Sequence, residues 1–147
     1  MNKTFVSVAV SGVAFVCGIA ALHAQAPTRS SWSGIFTAAQ AERGKQLFMD
    51  HCAACHGETL AGAEMAPQLA GSEFLSNWNG ETLNALTDRI RVTMPADNPG
   101  KLSAVSATDI AAFILSRNHM PPGGADLPRD SMVQAQIRID ALNPAEQ

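Results

Sequence analysis

The chain has no tyrosine, two tryptophans and only three cysteines in 147 residues. Nor does it carry an excess of positive charge: 10 Lys and Arg stand against 13 Asp and Glu, a net charge of −3. A basic patch interleaved with aromatics marks nucleic-acid binding, and neither part is present. No nucleic-acid partner is expected. After residue 26 no run is apolar enough to cross a bilayer, which takes about 20 residues. The mature chain is expected to have no membrane span.

The one long apolar run lies at the start. Lys3 is followed by apolar sequence from Phe5 to Leu22, then by small residues in "ALHAQAP". A basic start, an apolar middle and an Ala-rich exit read as a secretory signal over residues 1–26, cut after Ala24 or Ala26. The rival reading is an uncleaved anchor. Removing Lys3 with the leader makes the charge −4. It also removes Cys17, so Cys52 and Cys55 are the remaining cysteines. A disulfide between them would close too short a loop to stabilise much, because the entropic gain grows with loop length.

What remains is the size of one small domain. Residues 27–36, "PTRSSWSGIF", have turn-forming composition and read as a flexible lead-in to a domain over 37–147. Thr37 and Gln40 form a Thr-x-x-Gln capping box. Ala41, Gly44, Phe48 and Cys52 then share one helical face. A glycine inside a helix is costly unless another helix crosses close to it. Residues 57–79 read as loop with one helical turn. Leu83, Leu86, Ile90 and Met94 define a second helix, expected from near Gly80 and ending before Pro95. Ser106 and Asp109 are read as the cap of a third, with Ile110, Phe113 and Ile114 inward. In the tail, a short helix around Met132 and an extended Ile137-Arg138-Ile139 strip both fit. The fold class is therefore all-α: three main helices and long loops, with no convincing sheet.

The chemistry concentrates in "CAACH", residues 52–56. Structural zinc wants four N or S ligands, usually from two separated pairs, and one pair is present. A redox Cys-x-x-Cys follows a strand in an α/β unit, whereas helical periodicity precedes Cys52. Cys-x-x-Cys-His is also the attachment signature of c-type haem. That reading uses all three side chains: Cys52 and Cys55 as thioether tethers, His56 as an iron ligand. Export agrees with it. A covalent haem also enlarges a small core, since burial stabilises by about 25 cal/mol per Å² of apolar surface.

Met94, in "TMPADNPG", is the expected sixth ligand. Pro95 ends its helix, and a His/Met pair raises the potential relative to two imidazoles. Met120 and His119 are the alternatives. Met65 lies nine residues after His56, on the expected histidine side of the ring. Pro67 could offer its loop's carbonyl to the far ring nitrogen of His56, or be a plain turn proline. Trp78 could bond a haem propionate through its indole N–H, or simply pack. Arg89 and Arg91 are read as solvated helix residues.

The pieces "AQAERGKQLF", "CAACHG", "TMPADNPGKLS" and "TDIAAFILSRN" resemble a class I cytochrome c from about Thr37 to Ile139. In that fold the first and last helices cross near a glycine and an aromatic. Gly44, Phe48 and Phe113 match, with Phe113 where a tyrosine is common. "CHGETLAGAEMAPQLAGSEFLSNW" and the "LP…IRI" tail are similar to the cytochrome domains of pyrroloquinoline-quinone alcohol dehydrogenases. The resemblance implies one covalent haem c in a periplasmic one-electron carrier. Its donor would be a quinoprotein dehydrogenase, its acceptor an oxidase or another cytochrome of the respiratory chain. The alternatives are a stably bound haem subunit of a dehydrogenase or oxidase, and a haem enzyme with a labile sixth ligand, such as a peroxidase or a thiosulfate-oxidising cytochrome.

Overall fold

The first long helix, α1 (Ala38–His51), buries the stripe Ala41, Gly44 and Phe48. Thr37 Oγ1 caps it by accepting from the Gln40 amide at 3.0 Å, a contact of about 1 kcal/mol. The Gln40 side chain does not complete the reciprocal box. It is buried, donating to Asp109 at 3.0 Å and accepting from the Leu127 amide at 2.6 Å. The computed structural model describes residues 29–146, so the leader expected over 1–26 lies outside the described residues.

After α1 comes a single turn, α2 (Ala53–His56), then α3 (Ser72–Trp78), α4 (Leu83–Thr93), α5 (Ala104–Arg117) and the short α6 (Ser131–Gln134). The three helices expected as main elements are α1, α4 and α5. The principal packing is α1 across α5. A Cβ on Gly44 would stand 1.8 Å from the Asp109 carbonyl oxygen, so only glycine permits this approach. Beside the crossing, the Phe48 and Phe113 rings are tilted with centroids 5.3 Å apart, a geometry worth about 0.5–1.5 kcal/mol beyond area.

Several expectations are corrected in detail. The α5 cap is Ser103, whose hydroxyl accepts from the Ser106 amide at 3.1 Å. Asp109, expected as part of that cap, is buried and accepts from Gln40 and from Arg43 Nε at 3.1 Å. Helix α4 begins at Leu83, not near Gly80, because the Thr82 hydroxyl caps it. The 57–79 stretch holds more than one turn: α3 spans seven residues and buries Phe74 completely.

Residues 29–36 are not a loose lead-in. Strand β1 (Arg29–Ser30) pairs in parallel with β2 (Ile137–Arg138), in the register Arg29 with Ile137 and Ser30 with Arg138. Ile35 and Phe36 are buried, and Trp32 Nε1 donates to the Asp140 carbonyl at 2.9 Å. Turn-rich composition concealed the apolar area of Trp, Ile and Phe. The tail holds both features expected there, the helix around Met132 and the extended strip. Ile139 lies against the start of α4, donating to Glu81 O at 2.9 Å and accepting from Gly80 N at 2.8 Å. Gln134 joins α4 to the segment before α6, accepting from Thr87 Oγ1 at 2.6 Å and donating to Pro128 O at 2.6 Å. No helix among the described residues is long and apolar enough to cross a membrane.

Candidate haem site

Helix α1 ends at Cys52, and α2 makes one further turn. His56 N donates to Cys52 O at 2.9 Å and Gly57 N to Ala53 O at 2.9 Å. Positions i, i+3 and i+4 of such a turn are neighbours, so Cys52, Cys55 and His56 come together. Both thiols are free. Cys55 is exposed and Cys52 half-buried. Burial, and then the neighbouring Cys55, push the Cys52 thiol up to about 11.

His56 is 7% exposed. Its Nδ1 stands 3.0 Å from the Pro67 carbonyl. A carbonyl only accepts, so this bond puts the proton on Nδ1 and leaves the lone pair on Nε2. Nε2 takes no hydrogen bond among the described residues. That is the arrangement a metal-ligating imidazole shows, with its second nitrogen tied to a carbonyl.

The loop carrying Pro67 is built to reach back. Gly62 adopts φ +77°, and a Cβ there would meet Ala66 O at 2.6 Å and Gln68 N at 2.9 Å. Its own amide donates to His56 O at 2.9 Å. Leu60 is fully buried with φ +65°, a left-handed conformation that costs a leucine roughly 1–2 kcal/mol. The turn it makes directs its carbonyl to the Leu69 amide at 2.9 Å.

Trp78 and Met94 are placed by other elements. Trp78 ends α3, half-buried, with its ring 6.1 Å from Phe74. Its indole nitrogen has no hydrogen-bond partner among the described residues, whereas that of Trp32 does. Met94 follows α4 in extended conformation, half-buried. Of the other methionines, Met65 is 96% exposed and Met132 74% exposed, while Met120 is buried beside the groove between α1 and α5 with Phe36 and Phe113. His119 is exposed. Arg91 pairs with Asp88 at 3.1 Å on the surface of α4, and Arg89 is exposed.

These donors fit haem c. Two free thiols and an oriented imidazole share one turn, and a thioether and an indole N–H lie on separate elements. Among the described residues no group of three or more His, Cys, Asp or Glu gathers to hold a metal ion, so the zinc reading lacks its further ligands. A helix rather than a strand precedes the Cys pair, unlike the redox Cys-x-x-Cys of an α/β unit. Sequence reading missed Gly62 and Leu60. Only the glycine carried a signal, its place in a loop.

The family model described as cytochrome c oxidase, cbb3-type, subunit III matches residues 39–114. Over 106 residues the chain is 28% identical to a thiosulfate dehydrogenase from Stutzerimonas stutzeri (strain A1501), covering 67% of this chain and 34% of that protein. The chain thus spans about a third of that curated relative's length. The crystal structure of the sulfane dehydrogenase SoxCD from Paracoccus pantotrophus resembles it with a TM-score of 0.49 and 22% identity, over 90% of this chain and 68% of that one. The curated relative is named for thiosulfate, not for an alcohol, so the likeness to alcohol dehydrogenase cytochromes in particular is not shown. By its match over residues 39–114, the chain belongs to the cytochrome c family, whose haem c serves electron transfer.

Proposed function

We propose that this is an exported, periplasmic, mono-haem electron carrier that accepts electrons from a dehydrogenase and passes them to the respiratory chain. The bond between His56 Nδ1 and the Pro67 carbonyl, 3.0 Å, carries the reading. A buried histidine fixed at one nitrogen, four residues from a free thiol and one from another, is poised to ligate iron through Nε2. Haem c supplies one-electron Fe(III)/Fe(II) exchange.

Each residue then has a role. Cys52 and Cys55 would tether the porphyrin as thioethers. His56 would hold the iron through Nε2, made more basic by the Pro67 carbonyl. Met94 would supply a second protein ligand, whose soft sulfur favours the ferrous state. Trp78 offers its indole N–H to a propionate. With His56 and Met94 both held to the iron, the chemistry would be outer-sphere transfer to docked proteins. The donor class is a dehydrogenase: a quinoprotein alcohol dehydrogenase by the sequence resemblance, a sulfur-compound dehydrogenase by the curated relative's name. A visible spectrum of exported protein, with a pyridine haemochrome assay, tests this. One haem c per chain is expected; none would end the reading.

The similarity to a protein named thiosulfate dehydrogenase favours one second reading, a haem enzyme or enzyme subunit. It requires a labile sixth ligand. Rapid carbon monoxide binding to the reduced protein at neutral pH favours the enzyme; slow or absent binding favours the carrier.

A further inference from the structure

Asn118 follows the last turn of α5 and is 2% exposed. Every polar atom of its side chain is used. Nδ2 donates to Leu69 O at 2.9 Å and to Ile114 O at 2.9 Å, and Oδ1 accepts from Gly71 N at 2.9 Å. Leu69 and Gly71 end the segment 57–71 that delivers the Pro67 carbonyl to His56. Leu69 donates its own amide to Leu60 O at 2.9 Å. Among the described residues, the hydrogen bonds tying this segment to α5 all come from Asn118. The remaining bonds of residues 57–69 run within the loop or back to α2.

We propose that Asn118 is a positioning residue for His56, acting through the Leu69–Gly71 backbone to hold the Pro67 carbonyl on Nδ1 and thereby setting the iron potential. The proposal rests on His56 being the haem ligand. The physical argument concerns freedom. A buried carbonyl keeps its direction only if the chain on either side is fixed. On the near side, Gly62 packs under residues 66–68. On the far side, Asn118 grips residues 69 and 71. Without that grip the carbonyl swings, the imidazole loses basicity and the ferric state is less favoured.

The test uses the mature holoprotein. Asn118→Ala removes all three side-chain bonds. Asn118→Asp keeps the acceptor for Gly71 N–H but not the donors, and stands in should the alanine variant fail to fold. Gln40→Ala is the control, since it strips another buried amide of its bonds to Asp109 and Leu127. Proton NMR of the reduced protein reads solvent exchange of the His56 Nδ1 proton, and equilibrium titration reads the potential. Both Asn118 variants are expected to exchange that proton about tenfold faster, as loss of one hydrogen bond implies, and to rise in potential. Gln40→Ala is expected to lose stability while both readouts keep the parent's values. Parent-like exchange and potential in the Asn118 variants, or equal changes in Gln40→Ala, would overturn the proposal. Absence of haem c from the parent overturns the underlying reading instead, so the two failures are told apart.

Discussion

Gly44 and the Asp109 carbonyl are so close that a single added methyl would stand 1.8 Å from the oxygen. Backbone of one helix rests on backbone of the other, and no rotamer change can relieve an intruding Cβ. Gly44→Ala is expected to force α1 and α5 apart and cost about 3 kcal/mol or more. Thermal unfolding should show it as a fall in Tm on the order of 10 °C. Gly124→Ala is the companion, because nothing lies within 4 Å of a Cβ there. It should stay within about 0.5 kcal/mol of the parent.

Gly62→Ala strikes the histidine loop. The new Cβ would press on Ala66 O and on the Pro67 carbonyl carbon, at 2.6 and 2.9 Å, in a backbone conformation that already disfavours it. The Pro67 oxygen should then retreat from His56 Nδ1. Faster exchange of the Nδ1 proton with haem still attached is the expected NMR result; parent-like exchange would mean the loop yields elsewhere.

Met94→Ala should leave the haem bound, since the tethers are elsewhere. The potential should fall, and the reduced protein should take up carbon monoxide that the parent excludes. A visible spectrum identical to the parent's would transfer the role to Met120 or His119.

Replacing both Cys52 and Cys55 by alanine removes the tethers. Little folded protein should accumulate after export, because the core loses the apolar area of the macrocycle. Intact-mass measurement should find no haem adduct on what remains.

Acid should weaken the link between α1 and the 126–127 segment. The Thr37 hydroxyl donates to Asp126 and Arg43 lies 2.7 Å from it, which together hold that carboxyl below the usual range. A depressed pKa gives stability that is present above the unfolded value, about 3.9, and is lost as pH falls through the folded one. Asp126→Asn should therefore flatten the acid side of the stability curve and lower its neutral and alkaline side, where the charged carboxyl contributes. Chemical unfolding midpoints between about pH 2 and 7 would show this.

Much of this was legible in the sequence because period and punctuation carry it. The stripe through Ala41, Gly44 and Phe48 fixes α1 and its crossing. The Leu83, Leu86, Ile90 stripe fixes α4, with Pro95 setting its end. The Cys-His turn follows from five consecutive residues. What stayed hidden depends on long-range partners. Asp109 looked like a cap residue because only the fold brings Gln40 and Arg43 to it. Asn118 looked like a mere helix end, since its bonds reach 47 and 49 residues back. Trp32, Ile35 and Phe36 were masked by the serines and glycine around them, and strand β1 just before them pairs with a segment more than a hundred residues away.

That pairing has an architectural consequence. Arg29 and Ile137 lie side by side and run in the same direction. The seam brings the first described residues beside the closing segment. A neighbouring module joined upstream and another joined downstream would both attach near this seam. The same unit can thus be joined into a longer polypeptide without redesign of its interior.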